Sequence, residues 1–302
     1  MPLSSHLDNP NSPVLKFLQE RFPNTQGFAT KEGKKLKGLK TILPTEDVPN
    51  GTYGTIGTAI DYRVRYYIQN TPYKKLVAWK GARGLNSLKK SLVEDFFISL
   101  ERMMGEVEPI GRRLSNDIET RLNRYCFVLA LFEQLFRNPN IQEHPFRNSS
   151  YRDIESLLAI PEQFLIDDLS ALSGLFFEKC GPFFSHKWIL NPEFSGSSDI
   201  HGADADLIVD RLLIEIKTTI TPREWKSWFY QLLGYVLLDY EDTYRFNRIG
   251  IYFTRQGKLV IWNLREFMTE LAGGKPPAIN ELRSDMRKIL RDIIMRQNHC
   301  SP

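Results

Sequence analysis

Gly202-Ala203-Asp204-Ala205-Asp206-Leu207-Ile208-Val209-Asp210-Arg211-Leu212-Leu213-Ile214-Glu215-Ile216-Lys217-Thr218-Thr219 holds two apolar, β-branched runs separated by Asp210-Arg211, the pattern of a β-hairpin. A tight turn there pairs Val209 with Leu212, Ile208 with Leu213, Asp206 with Glu215 and Asp204 with Lys217. Side chains alternate faces along a strand, so Asp204, Asp206, Glu215 and Lys217 share one face. Leu207, Val209, Leu212, Ile214 and Ile216 share the other.

Three carboxylates and an ammonium gathered at one end of an apolar hairpin repel one another unless a cation compensates. A hard divalent ion such as Mg²⁺ suits carboxylate and carbonyl oxygens, and an adjacent lysine can orient water or stabilise developing charge. The same four residues also fit a surface hairpin with an ion-paired face, though exposed pairs add little stability.

The surrounding sequence gives this hairpin an α/β setting. Pro161 opens a helix through about Glu178, and Gly181-Pro182 ends it. Lys187–Leu190, Asp204–Val209, Leu212–Thr219, Arg248–Thr254 and Lys258–Trp262 read as strands. One helix, Pro222 to about Asp239, lies between the third and fourth. The order is therefore helix, three strands, helix, two strands. Gly273-Gly274-Lys275-Pro276-Pro277 closes the unit, and Ile279 to Arg296 forms a last amphipathic basic helix.

Upstream the chain reads as mainly helical. Ser12-Pro13 caps a first helix carrying Val14, Phe17, Leu18 and Phe22. Gly27 to Gly51, with Lys31, Lys34, Lys35, Lys37 and Lys40, reads as an exposed loop, solvated or in contact with phosphates. Helical periodicity resumes at Gly54 with Ile56, Ile60, Val64, Tyr67 and Ile68, then over about Leu85–Met104 and Ile110–Phe136. Turn residues from Asn138 to Ser150 mark a boundary. This organisation gives a basic helical region at 1–150, an α/β core at 151–272 and a C-terminal helix at 273–302.

The 302 residues are 42% apolar and 25% charged, as in ordinary globular proteins. Residues 1–150 hold 22 Lys and Arg against 15 Asp and Glu, whereas the remainder hold 18 against 21, so the basic excess lies in the helical region. Cys126, Cys180 and Cys300 are an odd set without C-x-x-C spacing, which reads as reduced thiols rather than a disulfide framework or zinc site. No run approaches membrane-spanning length and no apolar leader is visible, so the expected location is cytoplasmic.

Asp206, the Glu215-Ile216-Lys217 strand and Gln231-Leu232-Leu233-Gly234-Tyr235 one helix later resemble the PD-(D/E)xK nuclease superfamily, in its RecB-like and lambda-exonuclease-like branch with the QxxxY element. The resemblance covers about residues 161–263. It implies a restriction-endonuclease-like core and hydrolysis of DNA phosphodiester bonds with Mg²⁺ or Mn²⁺. By that resemblance Asp206, Glu215 and the Ile216 carbonyl hold the metal and Lys217 is catalytic. Gln231 and Tyr235, at i and i+4 on one helical face, brace the site or contact DNA. Asp204 is an alternative ligand, and Glu178, in Leu175-Phe176-Phe177-Glu178, stands where such enzymes place an acidic residue from the preceding helix.

Gly57-Thr58-Ala59-Ile60-Asp61-Tyr62-Arg63-Val64-Arg65 resembles an early glycine-containing helix of RecB-like members, with Asp61 where a His often follows. Arg63 and Arg65 would then contact phosphates, although Ile60 and Val64 equally suit a packed, Arg-bearing helix. Trp225, Trp228, Phe229 and Tyr230 suit core packing or base stacking. His201 is a loop residue near the site, while His144 and His186 have no partner at metal-ligand spacing.

No G-x-x-x-x-G-K-[ST] loop occurs, so any helicase or ATPase would be a separate protein partner. The resemblance places the protein in prokaryotic DNA processing, repair or defence against foreign DNA. Two other readings stand beside it: a non-catalytic nucleic-acid-binding or scaffold subunit, and a sequence-specific restriction-type endonuclease.

Overall fold

The structure, a computed structural model, describes residues 1–49, 51–85, 87–107, 111, 113–148, 150–181, 186–200 and 202–299. His201, Cys300, Pro182 and Ile110 lie outside the described residues.

Five strands form one mixed sheet: β1 (Trp188–Leu190), β2 (Leu207–Val209), β3 (Leu212–Lys217), β4 (Arg248–Phe253) and β5 (Lys258–Asn263), in spatial order 1-2-3-4-5. The central hairpin adopts the register expected from its sequence, Val209 opposite Leu212 and Leu207 opposite Ile214. Asp210 makes the turn with φ 55°, a conformation that Asp tolerates better than most residues. Only β3 and β4 run parallel, because the helix between them, α11 (Trp225–Leu238), carries the chain back across the sheet.

A layer of helices covers each face. Leu207, Val209, Leu212, Ile214 and Ile216 point into a core with α4 (Thr52–Ile68), α5 (Val77–Arg83), α6 (Lys90–Glu106), α7 (Asn116–Arg137) and α10 (Gln163–Cys180). The short α8 (Pro145–Asn148) and α9 (Ile154–Leu158) border this layer. Ile208, Leu213, Ile249, Ile251 and Phe253 point into a second core. That core is built with α11, α12 (Leu264–Ala272), α13 (Ile279–His299) and the first three helices, α1 (Leu3–Asp8), α2 (Pro13–Arg21) and α3 (Thr25–Lys35). The first 150 residues thus contribute to both layers, and Arg21 pairs with Asp285 at 3.0 Å.

Three elements depart from the sequence reading. The stretch from Gly27 is helical as far as Lys35 rather than an exposed loop. Its lysines occupy the outer face, while Phe28 is buried against Phe229 and Phe267 and Glu32 accepts a hydrogen bond from Trp262 at 3.0 Å. The expected helix over Leu85–Met104 begins only at Lys90, with α5 ahead of it. Gly81 lets α5 lie on α7, since a Cβ there would stand 1.9 Å from the Phe132 carbonyl oxygen. Finally, α12 follows β5 directly, capped by Asn263, whose side chain accepts from the Arg265 and Glu266 backbone amides.

Trp225, Trp228, Phe229 and Tyr230 are all buried, so they serve the core and are not available to stack bases. Cys126 and Cys180 are buried free thiols. Asp168 of α10 and Arg255, in the turn between β4 and β5, form a bidentate ion pair at 2.9 and 2.8 Å with both side chains fully buried. No helix among the described residues is long and apolar enough to cross a membrane.

Candidate active site

Regular pairing of the hairpin stops at Leu207, although the sequence suggests a strand from Asp204. Asp204 instead bridges to Glu193, and the chain parts from β3 just where the acidic residues begin. The Asp206 carboxylate fills the gap, accepting the Ile216 backbone N–H at 2.6 Å where a neighbouring carbonyl would otherwise stand. In a strand the N–H and C=O of one residue point the same way, so the Ile216 carbonyl is directed into the same gap.

Glu215 and Lys217 lie on the α11 side of β3 and meet Gln231 there. Lys217 Nζ donates to Glu215 Oε1 at 3.0 Å and to Gln231 Oε1 at 2.9 Å. Gln231 Nε2 donates to Glu215 Oε1 at 2.8 Å and to the Tyr235 hydroxyl at 2.7 Å. Tyr235 is buried and stacks on Phe194. All four side chains are therefore held in one network, with every bond to Glu215 ending on a single oxygen. Its other oxygen, Oε2, is buried without a hydrogen-bond partner among the described residues.

The gap opens into a cleft of about 250 Å³ whose walls include Asp204, Asp206, Glu215 and Ile216. The opposite wall is α4, through Gly54, Gly57, Thr58, Asp61 and Arg65, positions that share one helical face. Glu133 and Arg137 of α7 complete it. Asp61 is the residue that the sequence left without an assigned role. Its signal was the helical spacing from Gly57, but which way that face points depends on how α4 packs. Asn191 and Arg137 also line the cleft without any motif to single them out.

Burial pushes the carboxylates up. Asp206 is raised to about 7 by desolvation and by Glu215. Asp61 is raised to about 7 by desolvation, with Arg65 opposing and Asp206 reinforcing. Glu215 and Asp204 are also raised, in both cases chiefly by burial. These groups lie in a setting that resists negative charge and favours a proton or another cation. Among the described residues, however, no three His, Cys, Asp or Glu side chains stand close enough to enclose a metal ion.

Other sequence candidates lie elsewhere. Glu178 is exposed in the last turn of α10, pairs with Lys179 at 2.7 Å and does not line the cleft. Arg63 cannot reach phosphate: it is fully buried, bonded to Glu119 at 2.9 and 2.6 Å and stacked over Tyr67. Arg65 does line the cleft, but its guanidinium is bonded to both Asp61 carboxylate oxygens. Lys34 and Lys35 end α3 and Lys37 follows it; none lines the cleft, and Lys35 pairs with Glu32. His144 is buried with its ring bonded to the Leu131 carbonyl, and His186 pairs with Asp210.

Compared with protein-family models, with curated proteins and with solved structures, the chain matches none.

Proposed function

We propose that this chain is a Mg²⁺- or Mn²⁺-dependent nuclease that hydrolyses DNA phosphodiester bonds, acting in prokaryotic DNA processing, repair or defence against foreign DNA. The observation that carries this reading is Glu215 Oε2, a buried acceptor without a partner among the described residues. It belongs to a carboxylate opposite Asp206, at a gap into which the Ile216 carbonyl also points. A buried acceptor left unsatisfied is costly, and a hard divalent cation satisfies it. Asp206, Glu215 and the Ile216 carbonyl would hold that cation, with water and phosphate oxygens completing its shell. Asp61, across the cleft, is a nearby carboxylate that Arg65 neutralises.

A divalent ion bound there would polarise the phosphate and lower the pKa of a bound water. The chain's own groups do the rest. Lys217, tethered by Glu215 and Gln231, positions the attacking water and offsets charge on the phosphoryl oxygens. The water oxygen bonds to phosphorus, one ester P–O bond breaks, and the departing oxygen takes a proton as the water loses one. Gln231 keeps Lys217 and Glu215 in register, and Tyr235 keeps Gln231 in place. The Arg137 side chain, 66% exposed at the cleft wall, donates Nε and Nη2 to Glu133 and keeps Nη1 to hold a flanking phosphate.

The test is cleavage of linear and closed-circular DNA, single- and double-stranded, in Mg²⁺, Mn²⁺ or EDTA, with a Glu215→Ala, Lys217→Ala double variant as control. Metal-dependent cutting by the wild type, lost in the variant, is expected, and the circular substrates separate internal from end-directed cutting. Binding without cutting on every substrate would overturn the nuclease reading in favour of a scaffold subunit.

A further inference from the structure

Among the described residues only two Phe, Tyr or Trp rings are exposed, Tyr53 at 39% and Phe136 at 47%. Each directly precedes a residue of the cleft wall, Tyr53 before Gly54 and Phe136 before Arg137. One step along an α-helix turns the side chain by about 100°. Both rings therefore flank the cleft wall without lining the cleft itself, Tyr53 at the start of α4 and Phe136 at the end of α7. Both are also backed by a cation, with Lys80 Nζ 5.7 Å from the Phe136 ring centroid and the Arg255 guanidinium 5.8 Å from that of Tyr53.

Beyond Phe136 lies a groove of about 780 Å³ between α5, α7 and α8, lined by Lys80, Gly84, Phe136, Gln142 and Arg147 among others, with no Asp or Glu among its described lining residues. The groove and the cleft lie on either side of the α5–α7 pair. Val77 and Arg137 face the cleft, whereas Lys80 and Phe136 face the groove. A chain of anionic groups leaving the cleft past Arg137 would thus meet an exposed ring and then two further cations.

From this arrangement we infer that single-stranded DNA lies across the cleft, one base stacked on Phe136 and another on Tyr53, its phosphates held by Arg137, Lys80 and Arg147. The inference rests on the nuclease reading for the strand's purpose and on the placement of the rings for its path. Phosphates alone would be served by the cations. The rings add a preference, because an aromatic side chain can stack only on a base whose face is free. A paired and stacked duplex interior offers no such face, so the surface selects a single strand or a frayed end.

The experiment is fluorescence anisotropy in EDTA, where no metal-dependent cutting occurs, with a short labelled mixed-sequence oligonucleotide and its blunt duplex. Phe136→Ala and Tyr53→Ala should each weaken single-strand binding about tenfold, the size of one lost stack, and leave duplex binding within about twofold. Phe136→Trp should retain wild-type affinity, and Lys80→Ala with Arg147→Ala should weaken both substrates and lower the salt dependence. Unchanged single-strand affinity in both alanine variants, equal losses on the two substrates, or no single-strand binding by the wild type would each overturn the inference. Failure of the nuclease reading looks different: no cutting in Mg²⁺ or Mn²⁺, with the aromatic dependence of binding intact.

Discussion

Gln231 donates its side-chain amide to Glu215 Oε1 at 2.8 Å, the same oxygen that Lys217 uses, which leaves Oε2 without a hydrogen bond among the described residues. Supporting groups of this kind typically change activity or metal affinity about 10–100-fold when removed. Gln231→Leu, close in volume, is expected to lower kcat by such a factor with little change in KM and a thermal midpoint near that of the wild type. Wild-type turnover in this variant would show that the network is structural only.

The cleft carboxylates make the metal-free protein sensitive to pH in a direction opposite to that of an ordinary ion pair. Asp61 and Asp206 hold their protons up to about 7 in the folded state, whereas the unfolded chain releases them near pH 4. The folded state then binds more protons between those values, so stability falls as pH rises from about 4 to 7. In EDTA, Asp61→Asn with Asp206→Asn should flatten that part of the thermal-midpoint profile relative to wild type. Added Mg²⁺ should stabilise the wild type more above pH 7 than at pH 5. Parallel profiles for wild type and variant would contradict the raised carboxylates.

Arg63 and Arg137 differ in the salt dependence of DNA binding that each should carry. Arg63 is buried against Glu119 and Tyr67, and Arg63→Ala leaves Glu119 without its partner. A loss of about 3–5 kcal/mol is expected from urea unfolding, the range for breaking a buried pair. The salt slope of DNA binding by the protein that remains folded should not change. Arg137→Ala should reduce that slope by about one phosphate contact, and it should also cost stability, because the Arg137 guanidinium pairs with the buried Glu133 at 2.6 Å.

The Asp168–Arg255 pair ties the helix before the sheet to the β4–β5 turn, and Arg255 also donates to the Ile42 carbonyl at 3.1 Å. Asp168→Ala strands a guanidinium in the core and should cost about 3–5 kcal/mol by chemical denaturation. Replacing both partners with apolar residues, Asp168→Leu and Arg255→Met, should recover part of that loss. Equal destabilisation by the single and double changes would show that the charge is not what matters there.

The hairpin was legible because period-two alternation and a two-residue turn leave one register that buries Leu207, Val209, Leu212, Ile214 and Ile216 together. The spacing of Gln231 and Tyr235 was legible for the same kind of reason, being local to one helix. What could not be read depended on helix phase against distant elements. Glu178 has the spacing of a helix-borne ligand, yet the turn that carries it faces solvent. Arg63 and Arg65 are two positions apart and so point in different directions, one into the core and the other into the cleft. The lysines of α3 masked a helix whose buried face is only Thr25, Phe28, Ala29 and Glu32, too few apolar residues to stand out from a charged run.

The second core also imposes an order of assembly on the molecule. Gly234, one residue before Tyr235, is covered by Leu3 of the first helix: a Cβ there would stand 2.7 Å from a Leu3 methyl and push that side chain aside. The far side of the same core is closed by Leu282, Met286 and Leu290 of the last helix. During synthesis α1 and α2 must therefore wait, their apolar faces uncovered, until α11 and α13 have left the ribosome, and such long-range closure is slow and exposed to aggregation. The helix bearing Gln231 and Tyr235 gains its final support in that same late step, so a nascent or prematurely ended chain carries all the hairpin residues without the scaffold that holds them in place.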